Sequence, residues 1–160
     1  MAANKEYIVT QEGLDKLNAE YRSLIDDERP AVIEALQNAR AMGDLSENAD
    51  YDAARNKQAE IEGRIKEIEH ILANVKVVEE NKKSKTIQLS NIVTYYDLEI
   101  EKEFTVKLVS SIESDPVSDP KNLKISVDCP LGAALLGHKV GDEVTVKANS
   151  PYDIRIVSFK

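Results

Sequence analysis

The sequence contains few of the residues on which self-contained functional sites usually depend. Its 160 residues include no tryptophan, one cysteine and two histidines. The single cysteine, Cys129, excludes an internal disulfide. His70 and His138 fall in different halves of the chain, and no serine or cysteine stands in the context of a nucleophile elbow. The usual residue sets of a catalytic site are therefore missing.

Long apolar runs are also missing. No window approaches the roughly 18 apolar residues that a membrane-spanning helix needs. The first residues, MAANKEYIVTQEG, have neither the basic region nor the apolar region of a signal peptide. With 42% hydrophobic residues, we expect an ordered cytoplasmic protein without membrane contact.

Acidic residues outnumber basic ones, but only in the first half of the chain. Residues 1–80 contain 10 Lys and Arg against 18 Asp and Glu, whereas residues 81–160 contain 11 of each class. An acidic surface repels nucleic acid at long range and suits a positively charged partner surface. A solvated helical surface also explains most of these charges, so composition leaves both interpretations open.

The first half has the apolar spacing of two long helices. From Tyr51 onward the intervals alternate between three and four residues, interrupted only by the polar Gln58, as in a coiled coil. In the less regular first arm, Pro30 predicts a kink or restart near residues 26–30. The arms should pack antiparallel. The predicted seam contains Leu14, Leu17, Tyr21, Leu24 or Ile25, Val32, Leu36 and Ala39, then Tyr51, Ala54, Gln58, Ile61, Ile65, Ile68, Leu72 and Val75.

The pattern changes after Val78. The polar run EENKKSKT has no periodicity, and short β-rich runs with alternating apolar and polar residues follow it. Pro130 and Gly137 delimit one short predicted helix. We therefore predict two domains: an N-terminal antiparallel α-helical coiled coil at 1–78, a linker at 79–86, and a C-terminal α+β domain with an antiparallel sheet at 87–160.

The connection between the two arms, GDLSENADY at 43–51, is more acidic than a helical hairpin requires. Asp44 and Glu47 have the spacing of a capping box, yet Asp50 and Asp52 add further carboxylates close by. Two carboxylates also supply hard oxygen ligands for part of a Mg²⁺ shell, which a partner would have to complete. An arm over 48–75 would place this acidic tip about 42 Å from the arm's other end.

Three stretches resemble the bacterial GreA/GreB transcript cleavage factors. They are NARAMGDLSENADYDAARNKQAEIEGRIKEIE around the tip, VTQEGLDKLNAEY at 9–21 and ISVDCPLGAALLGHKVGDEV at 125–144. The resemblance implies a coiled coil followed by an FKBP-like domain, and we expect a monomer. It also implies a factor that is not itself an enzyme. Such a factor binds RNA polymerase, inserts its coiled coil into the secondary channel and stimulates cleavage of the nascent RNA 3′ end in backtracked complexes.

The resemblance further implies roles for individual residues. Asp44 and Glu47 match an acidic pair that helps to place a Mg²⁺ ion shared with the polymerase active site and not bound tightly by the factor alone. Arg40 and Arg55 match a basic spot that contacts RNA, unless they form only surface ion pairs. The spot is small, which is nearer to the GreA branch than to GreB. The segment that matches the polymerase-binding region of the family contains Asp128, Cys129 and Pro130.

Two other functions remain open at this point. A regulator of the same fold would occupy the secondary channel without promoting cleavage, although the intact Asp44 and Glu47 argue against it. A coiled-coil adaptor with a peptide-binding second domain would leave the acidic tip unexplained. Peptidyl-prolyl isomerase activity is disfavoured, because the second half has only Phe104 and Phe159 and no tryptophan to line a proline pocket.

Overall fold

The chain folds into a helical unit and a sheet unit. Leu14–Val75 belongs to the first, and Ile8–Gly13 joins Lys76–Lys160 in the second. The prediction of a helical hairpin followed by a small α+β domain is confirmed. No helix in the described part of the chain is both long and apolar enough to cross a membrane. The computed structural model describes residues 6–44, 48–79, 81, 83–114 and 123–160.

The first arm of the hairpin changes its helical hydrogen bonding just before Pro30. The Arg29 N–H donates to the carbonyl of Leu24, five residues earlier, which is the pattern of a π-helix. Pro30 has no N–H to donate, so the irregularity falls where the sequence predicts it. The helical elements are α1 (Gln11–Ser23), a π-helical segment (Leu24–Glu28), α2 (Arg29–Ala41) and α3 (Ala49–Ala73).

Contacts between the two arms show that they run antiparallel. Residues further along the first arm meet residues earlier in α3, as expected for a hairpin. Three pairs trace this order: Tyr21 Oη with Glu69 Oε1 at 2.8 Å, Arg29 Nε with Glu62 Oε1 at 2.6 Å, and Asn48 Nδ2 with the Ala39 carbonyl at 2.7 Å.

The apolar seam between the arms is buried largely as its spacing predicts. Leu24 is buried and Ile25 only partly so, which settles the choice between them. At the far end Ile71 is buried, whereas the predicted Leu72 is only partly buried. The predicted Val75 lies beyond the end of α3, in a strand. Each fully buried isoleucine contributes about 2 kcal/mol. The buried positions are Leu17, Leu24, Val32, Leu36, Ala39, Ala54, Ile61, Ile65, Ile68 and Ile71.

Two short strands that the sequence analysis does not anticipate pair with each other. They are β1 (Tyr7–Val9) and β2 (Val75–Val77). The Tyr7 N–H donates to the Asn74 carbonyl at 3.0 Å, and the Val78 N–H donates to the Val9 carbonyl at 3.0 Å. Three residues are too few to reveal the period of two by which strands are recognised.

A five-stranded sheet has the order β5-β4-β3-β7-β6. The sequence predicts a fully antiparallel sheet, but β4 and β5 pair in parallel. Alternating side chains do not report strand direction, which depends on the path of the connection. Of the run TIQLSNIVTYY only the second part is a strand. The elements are β3 (Ile92–Asp97), β4 (Lys102–Val109), β5 (Leu123–Ser126), α4 (Pro130–Leu135), β6 (Glu143–Val146) and β7 (Tyr152–Phe159).

Close packing of α4 against the end of β5 depends on a glycine. A Cβ atom added to Gly132 would lie 2.1 Å from the Ser126 carbonyl oxygen. The position therefore requires a residue without a side chain. The buried core of this unit consists of Ile87, Val93, Tyr95, Val106, Leu108, Leu135, Val146, Ile154 and Ile156.

A buried polar network holds residues 8–13 in the sheet unit. The Glu113 carboxylate accepts hydrogen bonds from the Thr10 N–H at 3.2 Å, the Thr10 hydroxyl at 2.6 Å and the Ser110 hydroxyl at 2.9 Å. Gly13 N–H donates to the Thr10 hydroxyl oxygen at 3.0 Å. Thr10 and Ser110 are buried, so these bonds satisfy groups that would otherwise be costly to bury.

Candidate functional site

The connection between α2 and α3 begins with a glycine turn. The Met42 N–H closes α2 by donating to the Ala39 carbonyl at 3.3 Å. Gly43 has a φ of +120°, which disfavours residues with a side chain. Met42 is 79% exposed, so its side chain lies outside the buried seam. Asp44 follows, exposed and outside both helices.

Asn48, and not Asp44, caps α3. The helix begins at Ala49, and the Asn48 side-chain oxygen accepts from the Tyr51 N–H at 3.1 Å. The capping-box alternative therefore does not apply to α3, which starts at Ala49, five residues beyond Asp44. Asparagine caps helices as well as aspartate does, and its amide can also donate, as it does here to the Ala39 carbonyl. Glu47 lies outside the described residues.

Two of the four tip acids are accounted for by the helix itself. Asp50 and Asp52 lie in the first turn of α3, where the partial positive charge of the helix end favours carboxylates. The sequence alone leaves the roles of these two acids open, and the structure places both at the helix N-terminus. Asp44 lies before the Asn48 cap and outside the first turn of α3.

The two arginines of the predicted basic spot are both exposed near the tip. Arg40 lies in the last turn of α2, with its guanidinium carbon 5.7 Å from the centroid of the Tyr51 ring. Arg55 follows Tyr51 by four residues in α3, so the two side chains share one face of the helix. The structure thus brings Arg40 to Tyr51 and places Arg55 one turn further along.

The chemistry of the tip suits a hard cation only in part. Asp44 offers carboxylate oxygens, the ligand type that Mg²⁺ prefers. Among the residues that the structure describes, no three or more His, Cys, Asp or Glu side chains come together as a metal cluster.

The second predicted contact segment lies at the start of α4. Asp128 and Pro130 are exposed and Cys129 is half-buried. Cys129 caps α4, its Sγ accepting from the Gly132 N–H at 3.3 Å. Pro130 occupies the first position of the helix, where a missing N–H leaves no bond unmade. The helix start predicted from Pro130 is confirmed.

Beneath this segment the sheet carries a buried tyrosine. Burial, assisted by the neighbouring charges of Tyr152, Asp97 and Cys129, raises the pKa of Tyr95 to about 12. Tyr95 therefore remains neutral under physiological conditions. Its place in the core is structural, and its pKa lies too far above neutral for efficient general acid–base catalysis.

The sequence analysis did not predict the residues that join the end of α2 to the start of α3. Asn48 bonds to both α2 and α3, and Tyr51 lies under Arg40. A signal for the cap was present, because asparagine stands directly before a helix whose first turn carries two acids. Nothing in the sequence indicates the bond across to Ala39, which depends on how the arms pack.

Two family models match consecutive parts of the chain. The model described as transcription elongation factor, N-terminal, matches residues 7–77. The model described as transcription elongation factor, GreA/GreB, C-term, matches residues 75–160. The chain belongs to the GreA/GreB family of transcription elongation factors. The two matched ranges overlap at residues 75–77, which form β2.

Relatives from the GreA/GreB family match over nearly their whole length. Transcription elongation factor GreA of Acholeplasma laidlawii is 49% identical over 148 residues, covering 92% of this chain and 91% of the relative. That of Mycoplasma capricolum is 46% identical over 160 residues, covering 98% and 99%. Among solved structures, the GreA factor homolog 1 (Gfh1) protein of Thermus thermophilus is 28% identical, with 98% and 99% coverage and a TM-score of 0.44.

Proposed function

We propose that this GreA/GreB family member binds RNA polymerase through the secondary channel and stimulates cleavage of the nascent RNA 3′ end in backtracked complexes. The observation that carries the proposal is the exposed Asp44 in the connection of the hairpin. Asn48, and not Asp44, supplies the cap of α3. An acid presented at the end of a rod is suited to the active site of another enzyme.

In this proposal the tip completes a metal site that belongs mainly to the polymerase. Asp44 and Glu47 supply carboxylate oxygens to a Mg²⁺ ion shared with the partner. A divalent ion bound there would lower the pKa of its coordinated water and offset negative charge on the phosphate. No catalytic base is required from this chain, because the polymerase provides the remaining ligands and the RNA substrate.

The exposed arginines near the tip would bind the RNA backbone. Arg40 and Arg55 offer guanidinium groups that match phosphate geometry. Replacing either by alanine should lower cleavage at limiting factor concentration more than it lowers binding to the polymerase. Lys57→Ala is the matched control, since Lys57 lies on the same helix and its described ion pair is with Glu60 at 3.6 Å. Equal losses of cleavage and binding would assign the arginines to docking.

The segment at the start of α4 would contact the rim of the secondary channel. Asp128 and Pro130 are exposed there on either side of the half-buried Cys129. Asp128→Asn should raise the factor concentration that gives half-maximal cleavage without changing the rate at saturation. Glu99→Gln, the same charge change at another exposed position of the sheet unit, is the control. A lowered rate at saturation would contradict a purely docking role.

The decisive experiment measures RNA cleavage in a stalled, backtracked elongation complex. Asp44→Asn keeps the size of the side chain but is a poorer Mg²⁺ ligand. We expect the cleavage rate at saturation to fall on the order of 100-fold, with polymerase affinity preserved. Asp52→Asn, which removes the same charge from the first turn of α3, should cleave like the wild type. Polymerase binding without cleavage by the wild type would instead identify a non-cleaving regulator of the channel.

A further inference from the structure

Two side chains at the tip join the end of α2 to the start of α3. We propose that Asn48 and Tyr51 form a clasp that positions Asp44 and Arg40 for the cleavage reaction. The inference rests on the proposed function and deepens it by naming positioning residues. Neither side chain is required to touch the metal or the RNA.

The Asn48 amide forms hydrogen bonds with backbone groups of both helices at once. Its Nδ2 donates at 2.7 Å to the Ala39 carbonyl, which lies in the last turn of α2 and also accepts from the Met42 N–H. Its Oδ1 accepts at 3.1 Å from the Tyr51 N–H, which lies in the first turn of α3. Aspartate has no donor for the first bond, and the shorter serine side chain keeps a capping oxygen but has no amide N–H group.

Tyr51 closes the arrangement through its ring. The Arg40 guanidinium carbon lies 5.7 Å from the ring centroid, within the range of a cation–π contact. Arg40 directly follows Ala39, so the contacts run from Ala39 to Asn48, to Tyr51, to Arg40 and back along the chain to Ala39. This closed arrangement restricts the rotamers of an arginine that would otherwise lose more freedom on binding RNA.

The clasp joins the two helix ends that flank Asp44. Asn48 ties the start of α3 to the last turn of α2, so the chain leaves one helix and enters the other at a set separation. A ligand delivered to another enzyme's active site must arrive in a narrow range of positions, and small misplacements lower rates steeply. Loss of the clasp should therefore reduce the cleavage rate and leave docking unchanged.

Asn48→Ser tests this, because it removes the amide donor and keeps a capping oxygen. Asn74→Ser is the matched control: Asn74 caps the other end of α3, and its Nδ2 donates to the His70 carbonyl at 2.8 Å. At saturating factor, Asn48→Ser should cleave backtracked RNA about tenfold more slowly, with the half-saturating concentration unchanged. Asn74→Ser should match the wild type.

The ring contact is tested separately at Tyr51. Tyr51→Phe should cleave at the wild-type rate, because phenylalanine keeps the ring face, whereas Tyr51→Leu should cleave more slowly.

A second measurement needs no polymerase. Amide hydrogen exchange at Met42–Asp44 in the free protein should accelerate about tenfold in Asn48→Ser and stay unchanged in Asn74→Ser. Unchanged exchange, or a wild-type cleavage rate for Asn48→Ser, would overturn the clasp. A wild-type protein and Asn74→Ser that both fail to stimulate cleavage would instead refute the proposed function, whatever the exchange data give.

Discussion

The helical unit and the sheet unit draw their buried residues from very different distances along the chain. In the hairpin, buried side chains recur every three or four positions, as between Ile61, Ile65 and Ile68. In the sheet unit, Glu113 accepts hydrogen bonds from Thr10, 103 residues earlier. A periodic pattern can therefore be read from the sequence for the first unit, whereas much of the second depends on partners that no local pattern specifies.

Glycines show the same difference at single positions. Gly63, inside α3, is exposed and a Cβ added there would meet nothing within 4 Å. Gly132, inside α4, would place its Cβ against the Ser126 carbonyl. The same residue type is thus replaceable in one helix and required in the other.

The largest expected effect comes from Gly132→Ala. The added methyl group would collide with backbone, which cannot move aside as a flexible side chain can, so the sheet unit should lose about 3 kcal/mol of unfolding free energy. Urea denaturation, followed by amide exchange of β3 and β4, measures the loss. A change below about 1 kcal/mol would show that α4 shifts easily on the sheet.

Glu113→Ala tests the long-range network of the sheet unit. Removing the carboxylate leaves the buried Thr10 and Ser110 without their acceptor, and the unfolding free energy should fall by about 2 kcal/mol. Amide exchange at Thr10 should accelerate. Glu113→Gln, which keeps the size and one acceptor oxygen, should lose less than half as much. An unchanged Thr10 exchange rate in Glu113→Ala would contradict the anchoring role.

Gly63→Ala should have a smaller effect of opposite sign. Alanine is the better helix former, and the site is open, so the helical unit should gain about 0.8 kcal/mol. The amide exchange of α3 reports this change without interference from the sheet unit. A destabilised variant would mean that the exposed face of α3 makes contacts that depend on glycine.

The smallest expected effect concerns an exposed ion pair between the arms. The hydrogen bond from Arg29 lowers the pKa of Glu62 below its ordinary value of 4.5. A carboxyl with a depressed folded-state pKa stabilises the protein above its unfolded pKa and loses this contribution as the pH falls through the folded value. The melting temperature of the helical unit should therefore fall less on acidification in Glu62→Gln. Identical acid sensitivity of the two proteins at low salt would contradict this.

Much of the candidate site could be proposed from the sequence through the family resemblance. Arg40 and Arg55 lie exposed near the tip as expected, and Asp50 and Asp52 occupy the first turn of α3. The capping box, which the spacing of Asp44 and Glu47 left open as an alternative, does not describe the start of α3, because Asn48 is the cap there and both residue types are good caps. The metal and RNA contacts themselves stay predictions.

The sequence by itself determined the helical hairpin, the place of the irregularity before Pro30, and five of the β-strands. These features depend on neighbours within a few residues, whose spacing is visible in any single chain. Only the tertiary structure decided that β5 runs parallel to β4, that residues 8–13 join the sheet unit, and that Asn48 bonds across to Ala39. Each of these needs a partner brought close by folding, and residue type alone does not encode which partner that is.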